Sequence, residues 1–248
     1  MTAPFPTRRQ EEWRYADLDA LKPIWEQLAD PLTLTVGPGE SFEEMWLPSG
    51  DDVQVRRMRI ALEEGAKARL FVLNTASEYG RIELDVSLAD DASFEMFGAN
   101  LGGGSSNLEI VTNVRHTGER GRSRQTVRSV LGGKAVGTYL GKVEVARGAQ
   151  KTDAEQSVKA MLLDRGAIAN CKPELEIYAD DVKCAHGASV GELDAYQMFY
   201  AMSRGLDPAA ARALLLEGFV MGLWDDVGDD AQREAVRDAA RAALRAIA

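Results

Sequence analysis

Residues 172–191 have the sequence KPELEIYADDVKCAHGASVG, which joins a strand-like run to a glycine-rich segment that contains a cysteine and a histidine. Leu175 and Ile177 alternate with glutamates, a pattern typical of a strand with one buried face. Cys184 and His186 are two positions apart. Because side chains at i and i+2 of an extended segment lie on the same face of a sheet, the sulfur and the imidazole are expected to be neighbours.

A neighbouring cysteine and histidine are compatible with three roles. Both can bind a soft or borderline metal ion, but two ligands do not close a metal site, so further ligands would come from elsewhere, such as another chain. Alternatively, Cys184 is a nucleophile and His186 its base, although neighbours on one strand rarely also supply an orienting group and an oxyanion site. In the third interpretation the thiol is buried, the histidine is hydrogen-bonded in a turn, and both are structural.

A strand-and-turn pattern extends over residues 53–191. Apolar residues alternate with other residues at 82–88, 108–114 and 139–145, and glycine or aspartate residues separate these runs. No segment in this range has a sustained helical periodicity. Many short strands with frequent turns are typical of a sandwich, a barrel or a β-solenoid, and the units recur too loosely to choose among them.

Helices are expected on both sides of this β-rich core. Residues 9–21 predict a short N-terminal helix. After the core, Asp194 and Asp207 occupy N-cap positions, Gly205 is expected to end the first helix, and a last helix runs from about residue 229 to 248. The residues expected on the buried faces of the second and last of these helices are Ala211, Leu214, Leu215, Phe219, Val236, Ala240, Ala243, Leu244 and Ile247.

The chain is therefore expected to have three parts. These are an N-terminal helical segment and linker (1–52), a β core (53–191) and a C-terminal helical region (192–248).

Four segments resemble one known family. They are residues 6–18 (PTRRQEEWRYADL), 172–191, 193–205 and 209–220, and they resemble the SufB/SufD family of the SUF iron–sulfur cluster assembly system. The similarity is strong over the C-terminal third, clear at the N-terminus and diffuse between them. SufB usually has a glutamate after the equivalent histidine, so Gly187 favours the SufD branch. The chain is shorter than typical members between the opening motif and the core.

The resemblance implies a fold and a function. The fold is mainly β, with a right-handed β-helix core, a short N-terminal helix and a C-terminal helical region. The function is that of an assembly scaffold rather than an enzyme, which pairs with SufB through its β-helix and recruits the SufC ATPase through its C-terminal helices. No cofactor is expected in the isolated chain, and an iron–sulfur cluster would form transiently in the complex. The alternative is a Cys/His-dependent enzyme or a metal-binding β-solenoid protein that acts alone.

The resemblance also implies site residues. His186 corresponds to the family histidine implicated in cluster assembly near the SufB interface, and it is the expected metal ligand. Cys184 occupies a position of the same motif, and its role in assembly or in structure stays open. The region implied in SufC binding contains Phe199, Tyr200, Arg204, Leu214 and Phe219. Cys171 lies outside the functional pattern and is expected to be a packed or partly exposed thiol.

Composition narrows the classes of partner and compartment. The 39 acidic and 29 basic residues give a net charge of −10, which argues against general nucleic-acid binding. Two cysteines do not make a disulfide framework, residues 1–10 lack the apolar part of a signal peptide, and no apolar run reaches about 20 residues. We therefore expect a soluble cytoplasmic protein without membrane contact. When isolated it is expected to form a homodimer, because its strand edges would otherwise be unpaired.

Two other features receive structural interpretations. His116 lies among polar turn residues and is expected at the surface. The glycine-rich residues 102–106 lack the lysine and the strand–helix context of a P-loop, so they are expected to form a flexible turn that does not bind ATP.

Overall fold

The computed structural model describes residues 4–247, in which twelve strands form a parallel β-solenoid of six coils. Each coil contributes one strand to each of two sheets. Sheet one contains, in spatial order, β1 (Leu32–Val36), β3 (Val53–Leu62), β5 (Tyr79–Leu88), β7 (Asn107–His116), β9 (Val136–Val145) and β11 (Ile168–Ile177). Sheet two contains β2 (Ser41–Trp46), β4 (Lys67–Asn74), β6 (Ser93–Gly102), β8 (Arg122–Leu131), β10 (Asp153–Leu162) and β12 (Lys183–Glu192). The predicted mainly β solenoid is confirmed.

The length of a coil varies along the solenoid. Val53 pairs with Tyr79, an offset of 26 residues, whereas Val136 pairs with Ile168, an offset of 32 residues. The strands from β5 onward all have ten residues, so the turns absorb the difference. Because the repeat length changes from coil to coil, the units recur only loosely in the sequence.

One turn of each coil repeats the same backbone conformation. Gly65, Asp91, Arg120 and Lys151 all have a positive φ, and the amide of each donates to a carbonyl in the turn of the next coil. This left-handed conformation costs little for glycine but is uncommon for other residues. The stacked hydrogen bonds keep three charged residues in this conformation. The turns therefore repeat in backbone structure although their residue types differ, so the sequence does not show the repeat.

The first coil begins before the boundary expected at residue 53. β1 pairs with β3 and β2 with β4, both in parallel, so residues 32–46 already belong to the solenoid. Val36 is the only fully buried residue of β1, and Trp46 is the only one of β2. With so few buried positions, the alternation that marks a half-buried strand is too weak to locate these strands from the sequence.

The N-terminal segment is not the single helix expected over residues 9–21. It consists of a 3-10 turn at Glu11–Trp13, α1 (Leu18–Leu21), a second 3-10 turn at Lys22–Ile24, and α2 (Trp25–Leu28). The Asp17 side chain accepts hydrogen bonds from two backbone amides at the start of α1, so it begins a new helix within the expected one. The segment packs its tryptophans against Tyr79 on the outer face of sheet one.

The C-terminal region contains α3 (Ala195–Ser203), α4 (Pro208–Val220), a 3-10 turn at Met221–Trp224 and α5 (Asp230–Ile247). Asp194 and Asp207 cap α3 and α4 as predicted, and Gly205 has φ +97° at the end of α3. Helices α4 and α5 cover the outer face of sheet two. The residues that form this interface are Phe71, Leu73, Ala99, Leu101, Val130, Leu216, Val220, Leu223, Trp224, Val227, Val236, Ala240 and Leu244.

The buried face of α4 differs from the expected one. Ala211, Leu216 and Val220 are buried, whereas Leu214 is 57 % exposed. Apolar residues lie on every side of this helix, so its sequence does not mark which side faces water. On α5 the expected residues Val236, Ala240 and Leu244 are buried. Among the helices of residues 4–247, none has the length and apolar content that crossing a membrane requires.

The glycine-rich turn after β6 is packed rather than loose. A Cβ at Gly103 would lie 3.4 Å from a side-chain carbon of Ile247, so the end of α5 rests on the turn. The Gly104 backbone accepts a hydrogen bond from the amide of Lys134 in the next coil. The prediction of a flexible turn is therefore wrong, because the turns of neighbouring coils stack on each other and α5 closes over them.

Candidate functional site

The last coil of the solenoid has two open strand edges. β11 pairs only with β9, and β12 pairs only with β10, so within residues 4–247 no strand covers their other edges. Pro173 lies in the middle of β11, a position that proline occupies almost only in edge strands. A free edge presents unpaired backbone donors and acceptors over the ten residues of β12, and such an edge can pair with a strand of another chain.

Cys184 and His186 lie side by side on β12 and face the interior of the solenoid. In the parallel register Cys184 is next to Ala154 and His186 is next to Gln156, and both of these partners are buried in the interior. The strand pattern therefore placed the two side chains on one face correctly. Because no further coil covers them, Cys184 is only half-buried and His186 is exposed.

The environment of the Cys184 thiol makes it a poor nucleophile. Burial is the main cause that raises the pKa of the Cys184 thiol, and the nearby Asp153 carboxylate adds to it. The thiol is therefore mostly protonated near neutral pH and is a weak nucleophile. The Cys184 thiol has a hydrogen bond with the Ala154 backbone, and among residues 4–247 none joins it to His186, so the geometry lacks the thiol–imidazole contact of a cysteine enzyme.

The last coil alone does not form a metal site. In the part of the chain that the structure describes, no group of three or more His, Cys, Asp and Glu side chains is arranged to hold a metal ion. Cys171 lies on the inner face of β11, in register with Tyr139, and is a free, half-buried thiol whose pKa burial raises. The prediction of a packed or partly exposed thiol is confirmed for it.

The open end also exposes large apolar side chains. Ile168 and Val190 are each about half exposed, and Ile177 and Tyr178 are also exposed. These residues lie on β11, on β12 and in the turn that joins them. Apolar groups beside an unpaired strand edge are unusual for a surface that stays in water, and they are typical of a surface that a partner covers.

His116, the other histidine, is not at the surface as expected. It is fully buried in the interior row between Leu88 and Val145, and its Nε2 lies 2.9 Å from the Ser123 hydroxyl. Burial lowers its pKa to about 4, so the imidazole is neutral at physiological pH. The polar residues after it suggested a turn, but the strand continues two residues beyond the predicted run, to His116, and the imidazole faces inward.

A second exposed apolar surface lies on the C-terminal helices, and we name it the α3–α4 patch. It consists of Tyr196, Phe199, Tyr200, Met202, Leu206 and Leu214. Phe199 is 71 % exposed, and the Arg204 guanidinium lies 5.1 Å from the centre of the Tyr200 ring. Of the five residues predicted for this region, four lie on or beside the patch. Phe219 does not, because it packs with the cluster on sheet two.

Comparison with known proteins adds the family. The model of the SufBD core domain of the SUF iron–sulfur cluster assembly system matches residues 43–219. The chain belongs to the SufBD family. The matched range runs from β2 to α4 and contains both the open last coil and the α3–α4 patch. The long segments that carried the sequence resemblance therefore identified the family correctly.

Several curated SufBD relatives are similar over part of their length. A SufBD family protein of Synechocystis is 31 % identical over 180 residues, which are 72 % of this chain and 40 % of that protein. SufD of Escherichia coli is 38 % identical over 108 residues, or 44 % of this chain and 26 % of SufD. SufD of Bacillus subtilis is 32 % identical over 120 residues, or 48 % and 28 % of the two chains. The alignments thus span less than half the length of these relatives.

Proposed function

We propose that this SufBD protein is a SufD-type scaffold in the cytoplasmic assembly of iron–sulfur clusters, and that SufB pairs with its last coil. The observation that carries the proposal is the open edge of β12, which bears Cys184 and His186 on its inner face. A strand of the partner solenoid would pair with this edge and continue the sheet. Ile168, Ile177 and Val190 would be buried in the same contact.

Such a junction would complete a cluster site that neither chain forms alone. His186 would contribute an imidazole, and thiolates of SufB would supply the remaining ligands of the nascent cluster, which is the cargo of the complex. Cys184 would contribute less, because burial raises the pKa of its thiol. The isolated chain would hold no cofactor and catalyse no reaction of its own.

The α3–α4 patch would receive the SufC ATPase. Its exposed aromatic and aliphatic side chains lie on α3, on the turn after it and on the exposed side of α4, and α3 packs on α4. A groove of about 430 Å³ runs along the patch between Tyr196 and Leu214. ATP hydrolysis by SufC would then change the arrangement of the two solenoids and give iron and sulfur access to their junction.

The test begins with the tagged native chain and the SufB and SufC encoded by the same organism. Both are expected to co-purify with it, and the reconstituted complex is expected to build an iron–sulfur cluster with its visible absorbance. His186→Ala should assemble clusters much more slowly while its thermal stability changes by no more than ~0.5 kcal/mol, because the side chain is exposed. Cys184→Ser is expected to do less harm. Absence of SufB from the purified material, or a wild-type assembly rate for His186→Ala, would refute the proposal.

A further inference from the structure

Charged side chains on the outer faces of the two sheets lie in rows that run from coil to coil. In sheet two, one row in parallel register contains Glu43, Arg69, Glu95, Arg124 and Glu155, so the sign of the charge alternates over five successive strands. The Arg69 guanidinium lies 3.0 Å from the Glu43 carboxylate and 3.4 Å from that of Glu95. Opposite charges on neighbouring strands stabilise their pairing and like charges destabilise it, so a charged residue in such a row favours a neighbour of opposite sign.

Sheet one follows the same rule. Its oppositely charged pairs in register are Arg57 with Glu83, Arg59 with Asp85, Arg81 with Glu109, Arg115 with Glu144, and Lys142 with Glu174. On the outer faces within residues 4–247, two register pairs have like charges, and each is compensated. Lys142 lies between Glu144 and Glu176, at 4.0 and 2.7 Å, and Arg128, beside Lys159, donates hydrogen bonds to two backbone carbonyls.

The rows of sheet one stop at β11, where the outward charges have neighbours on one side only. Glu174 and Glu176 are each nearly half exposed. Their cations are Lys172 on β11 itself and Lys142 on the strand behind it, and Lys172 is also held by Glu11 at 2.7 Å. The side of both carboxylates that faces the open end therefore has no cation within residues 4–247.

A row of sheet two stops at β12 with the opposite charge. Arg122, Asp153 and Lys183 are in register on three successive strands, and their signs alternate. Lys183 is exposed, and in the described part of the chain no carboxylate forms an ion pair with its amine. The open end thus presents acidic groups on β11 and a basic group on β12.

We propose that the partner strand that pairs with β11 carries a lysine or arginine facing Glu174 and Glu176, and that the strand that pairs with β12 carries an aspartate or glutamate facing Lys183. The identity of this partner as SufB rests on the proposed function, and the chemistry of its edge rests on the charge rows. Such a partner continues both rows across the junction, whereas a strand pair with reversed charges meets like charges on both sheets. Charges of this kind mainly set the association rate and the choice of partner.

Charge reversal in the full chain tests this pattern, with SufB of the same organism immobilised and its association rate measured. Glu176→Lys and Lys183→Glu should each slow association by about tenfold at low salt, because each places a like charge against the partner strand. The loss should shrink between ~0.01 M and ~0.15 M salt, as screening shortens the reach of the charges. Glu64→Lys is the matched control, because Glu64 lies exposed in the turn between β3 and β4 and the variant changes the net charge as Glu176→Lys does. It should associate at the native rate.

Two results would overturn the proposal. One is an equal association rate for Glu176→Lys and Glu64→Lys. The other is faster association of Lys183→Glu, because only a partner edge that is basic throughout gains from an added carboxylate. Glu176→Gln should lose less than Glu176→Lys, and both should melt as the native chain does, since an exposed ion pair contributes little stability. Native SufB binding with unchanged rates in all variants would contradict this inference alone, whereas a native chain that does not bind SufB would refute the proposed function as well.

Discussion

The guanidinium carbon of Arg81 lies 3.7 Å from the centre of the Trp13 ring, where the N-terminal segment crosses sheet one. Arg81 is fully buried and pairs with Glu109 at 2.5 Å and with Glu83 at 2.8 Å. It also donates a hydrogen bond of 2.8 Å to the Glu12 carbonyl. One buried cation thus joins the N-terminal segment to two strands of the solenoid, and its charge is fully compensated by two carboxylates and an aromatic face.

Arg81→Ala is therefore expected to destabilise the protein by ~3–5 kcal/mol, because it leaves the Glu109 carboxylate buried without its cation. Urea denaturation measures this loss, and limited proteolysis should cut the N-terminal segment faster in the variant. Arg14→Ala is the control, because Arg14 is exposed and its guanidinium lies 6.0 Å from the Tyr15 ring. It should cost no more than ~0.5 kcal/mol.

The double variant Arg81→Met with Glu109→Leu separates charge from packing. Since both ions are replaced by apolar groups of similar size, it should be more stable than Arg81→Ala. Equal losses in Arg81→Ala and Arg14→Ala would show that the buried cation does not anchor the segment.

The sequence predicted most strands of the solenoid, and it predicted that Cys184 and His186 share a face, because both depend on a local period of two. What it did not predict is which residues of other coils lie beside them. Gln156 is 30 positions from His186 and Tyr139 is 17 positions from Gln156, and these distances along the chain follow from turn lengths that vary between coils.

His116 is a second residue whose position depends on contacts between coils that the sequence alone does not show. Its neighbours Thr117 and Gly118 indicated a turn, and only the register with Leu88 and Val145 places it in the interior. The helix caps Asp194 and Asp207 were predictable because a cap is a contact over three residues. The buried face of α4 was not, because the outer face of sheet two selects it.

His116 should make the protein sensitive to mild acid. Its pKa is lowered by burial from 6.5 to about 4, so the unfolded chain binds a proton more readily than the folded one. The stabilisation from the neutral imidazole is complete above pH 6.5 and is lost as the pH falls towards 4, by up to ~3 kcal/mol. Urea denaturation at pH values from 7.5 to 4.5 measures how steeply the free energy of unfolding falls as the pH is lowered.

The variant His116→Gln assigns this slope to one histidine. It should be less stable at pH 7.5 but should lose less stability between pH 6.5 and 4.5 than the native chain. If the free energy of unfolding of His116→Gln depends on pH as steeply as that of the native chain, His116 is not the cause of the acid sensitivity.

A substitution in the α3–α4 patch is expected to weaken SufC binding without destabilising the fold. Phe199→Asp should abolish the co-purification of SufC, because it places a charge in the middle of an apolar surface, and it should change the free energy of unfolding by no more than ~0.5 kcal/mol at an exposed site. Asp238→Ala on α5, where the side chain is 75 % exposed, is the control and should bind SufC normally. Retained SufC binding by Phe199→Asp would exclude the patch.

Point substitutions are needed here because the C-terminal region is not separable. Trp224 and Leu216 are fully buried against Phe71 and Leu101 of sheet two, so a truncation after Gly191 would expose this outer face of the β core. Trp224→Ala alone is expected to cost ~3–5 kcal/mol of stability.

The open last coil predicts that the isolated chain pairs with a second copy. Two copies that join at this end would satisfy the free edges of β11 and β12 and bury Ile177 and Val190. Light scattering at micromolar concentration should therefore give twice the chain mass of 27.0 kDa. Val190→Asp should give the mass of one chain, because the partner's apolar groups would meet an uncompensated charge.

The opposite end of the solenoid supplies the control for this prediction. Leu32 on β1 is 70 % exposed, so Leu32→Asp introduces the same charge at another terminal strand. It should leave the dimer intact. A dimer that survives Val190→Asp but dissociates in Leu32→Asp would place the contact on the first coil. That result would contradict pairing through the last coil. A native chain with the mass of one chain would contradict it as well.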